Sequence, residues 1–317
     1  MAHHVNVLIL TSDLDFATDR ICRELASSGE KFLRLNRERM SDAAFALDPT
    51  TPTMTCRYQG EEWIINDALK SIWWRQGTFD RNIAGSGTTV EEQMTRTQWA
   101  AFMRSMMVFD HAHWFNHPAS TYRAETKAVQ LLEAKRIGFS VPNTLFTNDP
   151  ATDIEQRVGT KVALKSIDTL LLREGSDQLF GYTTLLEWSD VAVPDLHLVP
   201  ATIQSALLGK LDLRVTVLDD EIWCVAIERS GASISGDWRL TSKADLNYRT
   251  YTLPDAIASQ CRELVRCLGL RFGAIDLAVV DGCHWFIEIN PTGEWGWLDG
   301  VERPIAQSIA EHLSCPG

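Results

Sequence analysis

Residues 271–298 read RFGAIDLAVVDGCHWFIEINPTGEWGWL, and the fold turns on how this stretch is read. Ala274–Val280 is apolar and β-branched, Asp281-Gly282 is a turn signal, and Cys283–Asn290 alternates as a strand does. A β-hairpin is expected. On its second arm Phe286, Glu288 and Asn290 share one face, with Ile287 and Ile289 turned the other way, toward a core. A Glu and an Asn side by side on a strand are poor core residues unless something needs their oxygens.

Register decides what those oxygens face. A two-residue loop pairs Val280 with Cys283 and sets Asp276 opposite Ile287. A three-residue loop with a bulge at Gly282 pairs Val280 with His284 and sets Asp276 opposite Glu288, both carboxylates on one face. Carboxylates that close repel unless a cation lies between them, and hard oxygens of the Asp, Glu and Asn kind suit magnesium shared with phosphates. The same spacing also describes a surface hairpin with solvated acids. The Pro291-Thr292-Gly293 turn and the tryptophans after it do not look like an ordinary exit to solvent.

FGAIDLAVVDG…FIEINPTGEWGW closely resembles the metal-binding end of ATP-grasp ligases, most of all the microviridin-type (graspetide) peptide-cyclising ligases. The resemblance spans nearly the whole chain, from VLILTSDLDF to the last helix. It implies an α/β ATP-grasp fold with an N-terminal Rossmann-like pre-ATP-grasp domain over 1–115, and ATP-grasp subdomains over 116–200 and 201–317. It also implies that Asp276, Glu288 and Asn290 hold magnesium, two ions, carried by ATP.

Composition sets the outer bounds. The chain has 317 residues, 45% hydrophobic and 23% charged, as in a water-soluble protein of more than one module. A net charge of −12 argues against broad nucleic-acid binding, which needs a basic surface. Seven cysteines without a C-x-x-C pair read as reduced thiols. The opening MAHHVNVLIL is too short an apolar run for a signal peptide or a membrane helix, so a cytoplasmic protein is expected.

Val5–Leu10, Leu14–Ser28 and Lys31–Leu35 form a β-α-β start. The turn Thr11-Ser12-Asp13 lacks G-x-G-x-x-G, which disfavours a nicotinamide cofactor, and Gly85-Ser86-Gly87 reads as a flexible loop. In Trp73-Trp74-Arg75 one indole is expected in the core, while the other, with Arg75, either packs or lines a cleft. The segment resembles the family's aromatic–aromatic–Arg motif, with Gln76 where a second Arg often follows. Glu91–Phe109 is an amphipathic helix. His111, His113 and His117 crowd together, but no Cys or carboxylate stands at ligand spacing, so solvated histidines are expected.

A helix capped by Ser120 is expected to run to Ile137 and stop at Gly138, with Lys127 on the stripe of Ala124 and Leu131. Lys127 there either snorkels or meets an anion. Lys161–Ser166 reads as a strand with Lys161, Ala163 and Lys165 on one face, where a lysine presents a fixed charge to a phosphate. There is no G-x-x-x-x-G-K-[ST], which excludes a P-loop. NHPASTYRAETKAVQLLEAKRIGFSVPNTLFTNDP resembles the graspetide ligases, which implies that Lys127 and Lys165 contact ATP phosphates. Ser166–Thr183, where the family's glycine-rich lid would fall, offers only Gly175 and Gly181.

Thr202–Ser205 reads as a strand, and Leu211–Leu218 with Ile222–Glu228 as a hairpin. Lys210, Asp212 and Arg214 form a polar row on it, which is either a wet sheet face or a row with a function. Arg214 and Arg239 come from separate segments and can converge on one anion. The resemblance implies Gln204 and Leu207 near adenine, Asp212 near the ribose or a phosphate lysine, and both arginines near a reacting acyl phosphate. Leu253–Leu268 and Ile305–Leu313 are packing helices.

The function implied is ATP-dependent ligation of carboxylates to hydroxyls or amines, closing ester or amide macrocycles in a precursor peptide with a leader and a core of Asp/Glu and Thr/Ser/Lys. Leader contacts are implied near the hairpin of the last module; homodimerisation is left open, and neither nucleic acid nor membrane is expected as a partner. Two other readings remain: an intermolecular ligase resembling the ribosomal-protein glutamate ligases, and a non-catalytic peptide-binding module.

Overall fold

The structure, a computed structural model, describes residues 2–75, 89–167, 171–174, 177–191, 193–234, 236–300 and 302–316. The chain divides into two compact units. One comprises Met1–Tyr122, Gly269–Phe272 and Pro291–Gly317; the other comprises Arg123–Leu268 and Gly273–Asn290. The reading of Gly85-Ser86-Gly87, Gln76 and Gly175 concerns positions outside the described residues.

The first unit begins with β1 (Ala2–His4), β2 (Val7–Thr11), α1 (Phe16–Ser27) and β3 (Phe32–Asn36). It continues with β4 (Ala44–Asp48), β5 (Thr53–Tyr58), β6 (Glu61–Ile65), β7 (Ser71–Trp74), α2 (Val90–Ser105) and β8 (His113–Phe115). β2, β7, β3 and β8 form a parallel sheet in the order β3-β2-β7-β8. Val7 to Leu10 are fully buried, as expected of a central parallel strand covered on both faces. Asp15 caps α1 by accepting from Thr18 N at 3.3 Å, and Ile21 and Leu25 turn its buried face inward. A capping box of Thr89 and Glu92 starts α2. A second sheet has the order β1-β6-β5-β4.

Both indoles of Trp73-Trp74 are buried, contrary to a cleft-lining role for one of them. Trp74 packs on Trp114, and Trp73 meets Phe272 edge-on, ring centroids 5.6 Å apart. Arg75, 2% exposed, lines no cleft either: it donates to Thr292 O, Gly293 O and Glu294 Oε2. That is why the Pro291-Thr292-Gly293 turn is not a plain exit to solvent: a buried guanidinium collects its carbonyls.

The chain enters the second unit through α3 (Pro118–Glu125). The expected continuous helix breaks at Thr126, whose extended backbone starts α4 (Lys127–Ile137). Lys127 is therefore the first residue of a helix rather than a mid-stripe position. Next come β9 (Thr144–Thr147), α5 (Ile154–Arg157), β10 (Lys161–Lys165), β11 (Leu171–Glu174), β12 (Asp177–Phe180), β13 (Thr184–Glu187) and β14 (Ala201–Ser205). They make a sheet β13-β10-β14-β9 and a separate β11-β12 ribbon. Val162 and Ile203 join Ile154, Val158 and Leu196 in a small core on one side of that sheet.

A five-stranded sheet follows, built from β15 (Leu211–Leu218), β16 (Glu221–Arg229), β17 (Leu246–Thr250), β18 (Phe272–Val280) and β19 (Cys283–Asn290). Its order is β17-β16-β15-β18-β19, with helix α6 (Asp255–Cys267) preceding β18. Ala258, Cys261, Leu264 and Val265 are the buried face of α6. Gly273 lets α6 and β19 approach: a Cβ there would stand 2.8 Å from Ile289 Cδ1 and 3.1 Å from Val265 Cγ2. The last helix, α7 (Ile305–Ser314), packs against α1 in the first unit, and Ser71 Oγ donates to Leu313 O. All seven cysteines are free. Among the described residues no helix is long and apolar enough to cross a membrane.

Candidate active site

The hairpin β18–β19 turns on two residues, Asp281 at φ +49° and Gly282 at φ +77°, and pairs Val280 with Cys283. Positive φ at both positions is the geometry of the tight hairpin turn that Asp-Gly favours. The three-residue loop is thus corrected. Asp276 nevertheless faces Glu288, because the register shifts between Leu277↔Phe286 and Asp276↔Glu288. Ile287 is the extra residue of a β-bulge, and a bulge resets the alternation of side chains. Phe286 is therefore not on the acid face: it is fully buried, its ring 5.6 Å from that of Phe139. Ile287 and Glu288 both line the cavity, and Ile289 returns to the core.

That cavity lies within the second unit. Its wall includes Asp276 and Glu288 from the hairpin, Lys165 from β10, Gln204 from β14, Leu207 and Asp212 beside it, and Arg239. Lys127 reaches Glu288, Nζ to Oε2 at 2.8 Å, from the start of α4. Arg214 Nη1 lies 3.2 Å from Asp276 Oδ1, since β15 is the sheet neighbour of β18. Asn290 is exposed at the end of β19, opposite Ala274, and is not part of the cavity wall. Of the two readings of the alternating row, the wet face does not hold at Asp212 and Arg214, which are 8% and 9% exposed. Lys210 pairs with Asp212, and Lys165 Nζ donates to Gln204 Oε1 at 3.1 Å.

The electrostatics of the two acids diverge. Burial pushes the Asp276 carboxyl up to about 6, with Arg214 opposing and Glu288 adding to the rise. Burial also raises Glu288, but Lys127, Lys165 and Arg239 outweigh it and hold that carboxyl down at about 2. Lys165 is lowered, first by burial and then by the neighbouring cations Lys127 and Arg239, with Glu288 opposing. Asp276 Oδ1 and Arg214 Nε are buried and make no well-aligned hydrogen bond, the oxygen being held only by its ion pair with Arg214 Nη1. A buried carboxylate oxygen without an aligned hydrogen bond, across from a second carboxylate, makes a hard-donor pair that fits a magnesium ion.

Asp237, two residues before Arg239, carries no expectation from the sequence. It is 9% exposed and grips Arg239 with both oxygens, at 2.9 Å to Nε and 2.7 Å to Nη2. It also accepts from Thr183 N at 3.3 Å. Burial raises its pKa, but the Arg239 hydrogen bonds win and the net shift is downward. An Asp two residues before an Arg is the only signal in the sequence for this pair, and it is a weak one.

His111 and His113 are exposed, and half-buried His117 accepts from Ala119 N at 3.2 Å. Among the described residues no group of three or more His, Cys, Asp and Glu side chains is placed to hold a metal ion.

No protein-family profile matches the chain, and no curated protein matches it by sequence. Solved structures do. The chain is similar to the macrocyclase MdnC bound with precursor peptide MdnA from Microcystis aeruginosa MRC, at 22% identity and TM-score 0.81, over 99% of both chains. It is similar to the Chryseobacterium gregarium RiPP-associated ATP-grasp ligase in complex with ADP and a leader and core peptide, at 23% identity and TM-score 0.79, over 98% of this chain and 96% of that one. A third likeness is to the ATP-grasp ligase PsnB complexed with a phosphomimetic variant of its minimal precursor, Mg and ADP, at 19% identity and TM-score 0.75, over 98% and 97%. With identities of 19 to 23%, these likenesses establish the architecture: the chain has the α/β fold of the ATP-grasp ligases.

Proposed function

We propose that this protein is an ATP-dependent ligase that activates carboxylates as acyl phosphates and closes side-chain rings in a ribosomally made precursor peptide. The observation that carries the reading is one cavity in which Asp276 and Glu288, face to face, meet Lys165 and Arg239. Support also comes from the fold, shared with ligases described in complex with precursor peptides, ADP and Mg.

A carboxylate resists attack because its leaving group would be oxide. Transfer of the γ-phosphoryl group of ATP to it gives an acyl phosphate and ADP. Attack by a hydroxyl or an amine then forms the ester or amide and expels phosphate. The protein's part is alignment and charge neutralisation. Magnesium would be held by Asp276, Glu288 and Asn290 and would offset the charge of the nucleotide phosphates. We assign Lys127 and Lys165 to the phosphates, and Arg214 and Arg239 to the transferring group and the substrate acid. Asp237 keeps the Arg239 guanidinium aimed. Gln204 and Leu207 take the adenine, and Asp212 the ribose or a phosphate-binding lysine.

The test is incubation with ATP, magnesium and a precursor peptide encoded beside the gene, read by mass spectrometry and ADP release. One water lost and one ADP formed per ring is the expected result. A gain in peptide mass would replace this reading with the intermolecular ligase. Peptide binding without ADP formation would replace it with a non-catalytic module.

A further inference from the structure

β19 is the edge strand of its sheet, and an edge leaves backbone N–H and C=O groups without a strand partner. At Phe286 that edge is closed by backbone, the N–H donating to Ser140 O at 2.8 Å. At Ile289 it is closed by a side chain. Gln130 Oε1 accepts from Ile289 N at 3.1 Å, and Gln130 Nε2 donates to Ile289 O at 2.8 Å. The same Nε2 donates to Ala124 O at 2.6 Å, so the amide, 1% exposed, uses both its N–H groups and its carbonyl. A single amide thus imitates the pairing of a missing strand.

The residue it holds lies between Glu288 and Asn290. Gln130 also stands three positions after Lys127 on α4, hence on the same helix face, and Lys127 is ion-paired to Glu288. One helix face therefore grips the end of β19 by its backbone and by its carboxylate.

We propose that Gln130 is a positioning residue for divalent-cation binding: by fixing the peptide at Ile289 it sets the reach of Glu288 and Asn290. The proposal rests on the metal-holding role given to the hairpin above. Outer groups that orient ligands are worth on the order of 10–100-fold in metal affinity.

The experiment measures Mn2+ uptake by the full-length protein in the presence of ADP, followed by electron paramagnetic resonance of free Mn2+, so no turnover is needed. Gln130→Met keeps the volume and removes every hydrogen bond; it should weaken Mn2+ binding on the order of 10–100-fold. Gln130→Asn keeps an amide that falls short of Ile289 and should show the same loss; it takes over the test if Gln130→Met does not fold. Ala134→Gly, buried on the same helix, controls for lost stability and should leave Mn2+ affinity unchanged. Wild-type affinity in the Gln130 variant, or an equal loss in Ala134→Gly, would overturn the proposal while sparing the metal reading. Wild-type protein that takes up no Mn2+ with ADP would overturn both.

Discussion

Two hairpins stand side by side in the five-stranded sheet and solve different problems. β15–β16 pairs without a break from Asp212↔Ile227 to Leu218↔Glu221. β18–β19 starts as regularly at Val280↔Cys283, then skips Ile287 to bring Glu288 across from Asp276. Without the skip, Asp276 would face Ile287, and Glu288 would point into the core beside Ile275. The regular hairpin carries Arg214 and the buried Asp212, while the bulged one brings two acids together. One inserted residue separates a hairpin of unbroken register from one that sets two carboxylates face to face.

The sharpest way to break this comparison is to mutate one glutamate on each hairpin. Glu288→Gln should cut ATP turnover on the order of 10²–10³-fold, the scale for losing one electrostatic element of a site, here a holder of the proposed magnesium. Glu228→Gln on β16 removes an ion pair with half-exposed Arg249 and should leave turnover unchanged in the same assay. Equal losses would mean the bulge confers no special role. A smaller effect concerns the close approach that β18 makes and β15 does not need. Gly273→Ala pushes a methyl into Ile289 and Val265 and should cost about 1–3 kcal/mol in denaturant unfolding.

The pH dependence sharpens the contrast between the two acids of the bulged hairpin. With its pKa raised to about 6, Asp276 carries a proton below that pH, and a cation must displace it. Mn2+ affinity in the presence of ADP should therefore fall below pH 6 more steeply than the Mn2+ affinity of ADP alone, by up to about tenfold per unit. Asp276→Asn should remove that extra steepness and leave only the slope of ADP itself. Glu288, held at about 2, stays ionised throughout the range and adds no slope. The smallest effect is at the turn. Gly282→Ala puts a Cβ where φ is +77° and should cost about 1 kcal/mol in thermal or denaturant unfolding, with ligand binding unchanged.

Much of this architecture was legible from local pattern, because strand alternation and the Asp-Gly turn act over a few residues. The bulge was not. The sequence reading reached the Asp276–Glu288 pairing through a looser loop at Gly282, whereas the extra residue sits at Ile287. Nothing local marks Ile287; the choice follows from burying Phe286 against Phe139 and Ile289 against the Gly273 approach. The break at Thr126 escaped for a similar reason, since helix spacing runs through it and Lys127 is placed by a partner 161 residues away. Burial of Asp212 and Arg214, and of both Trp73 and Trp74, depends on neighbours from distant segments that no window of sequence contains.

The boundary between the units has a consequence for synthesis. The ribosome makes residues 1–122 first, yet the unit they belong to also needs 269–272 and the segment from 291 onward. Val7–Thr11 and its parallel neighbours can associate early, and α1 can meet β3, but its contacts with α7 must wait. Until residues 305–314 are made, the part of α1 that α7 covers stays open, a stage at which a chaperone has something to hold.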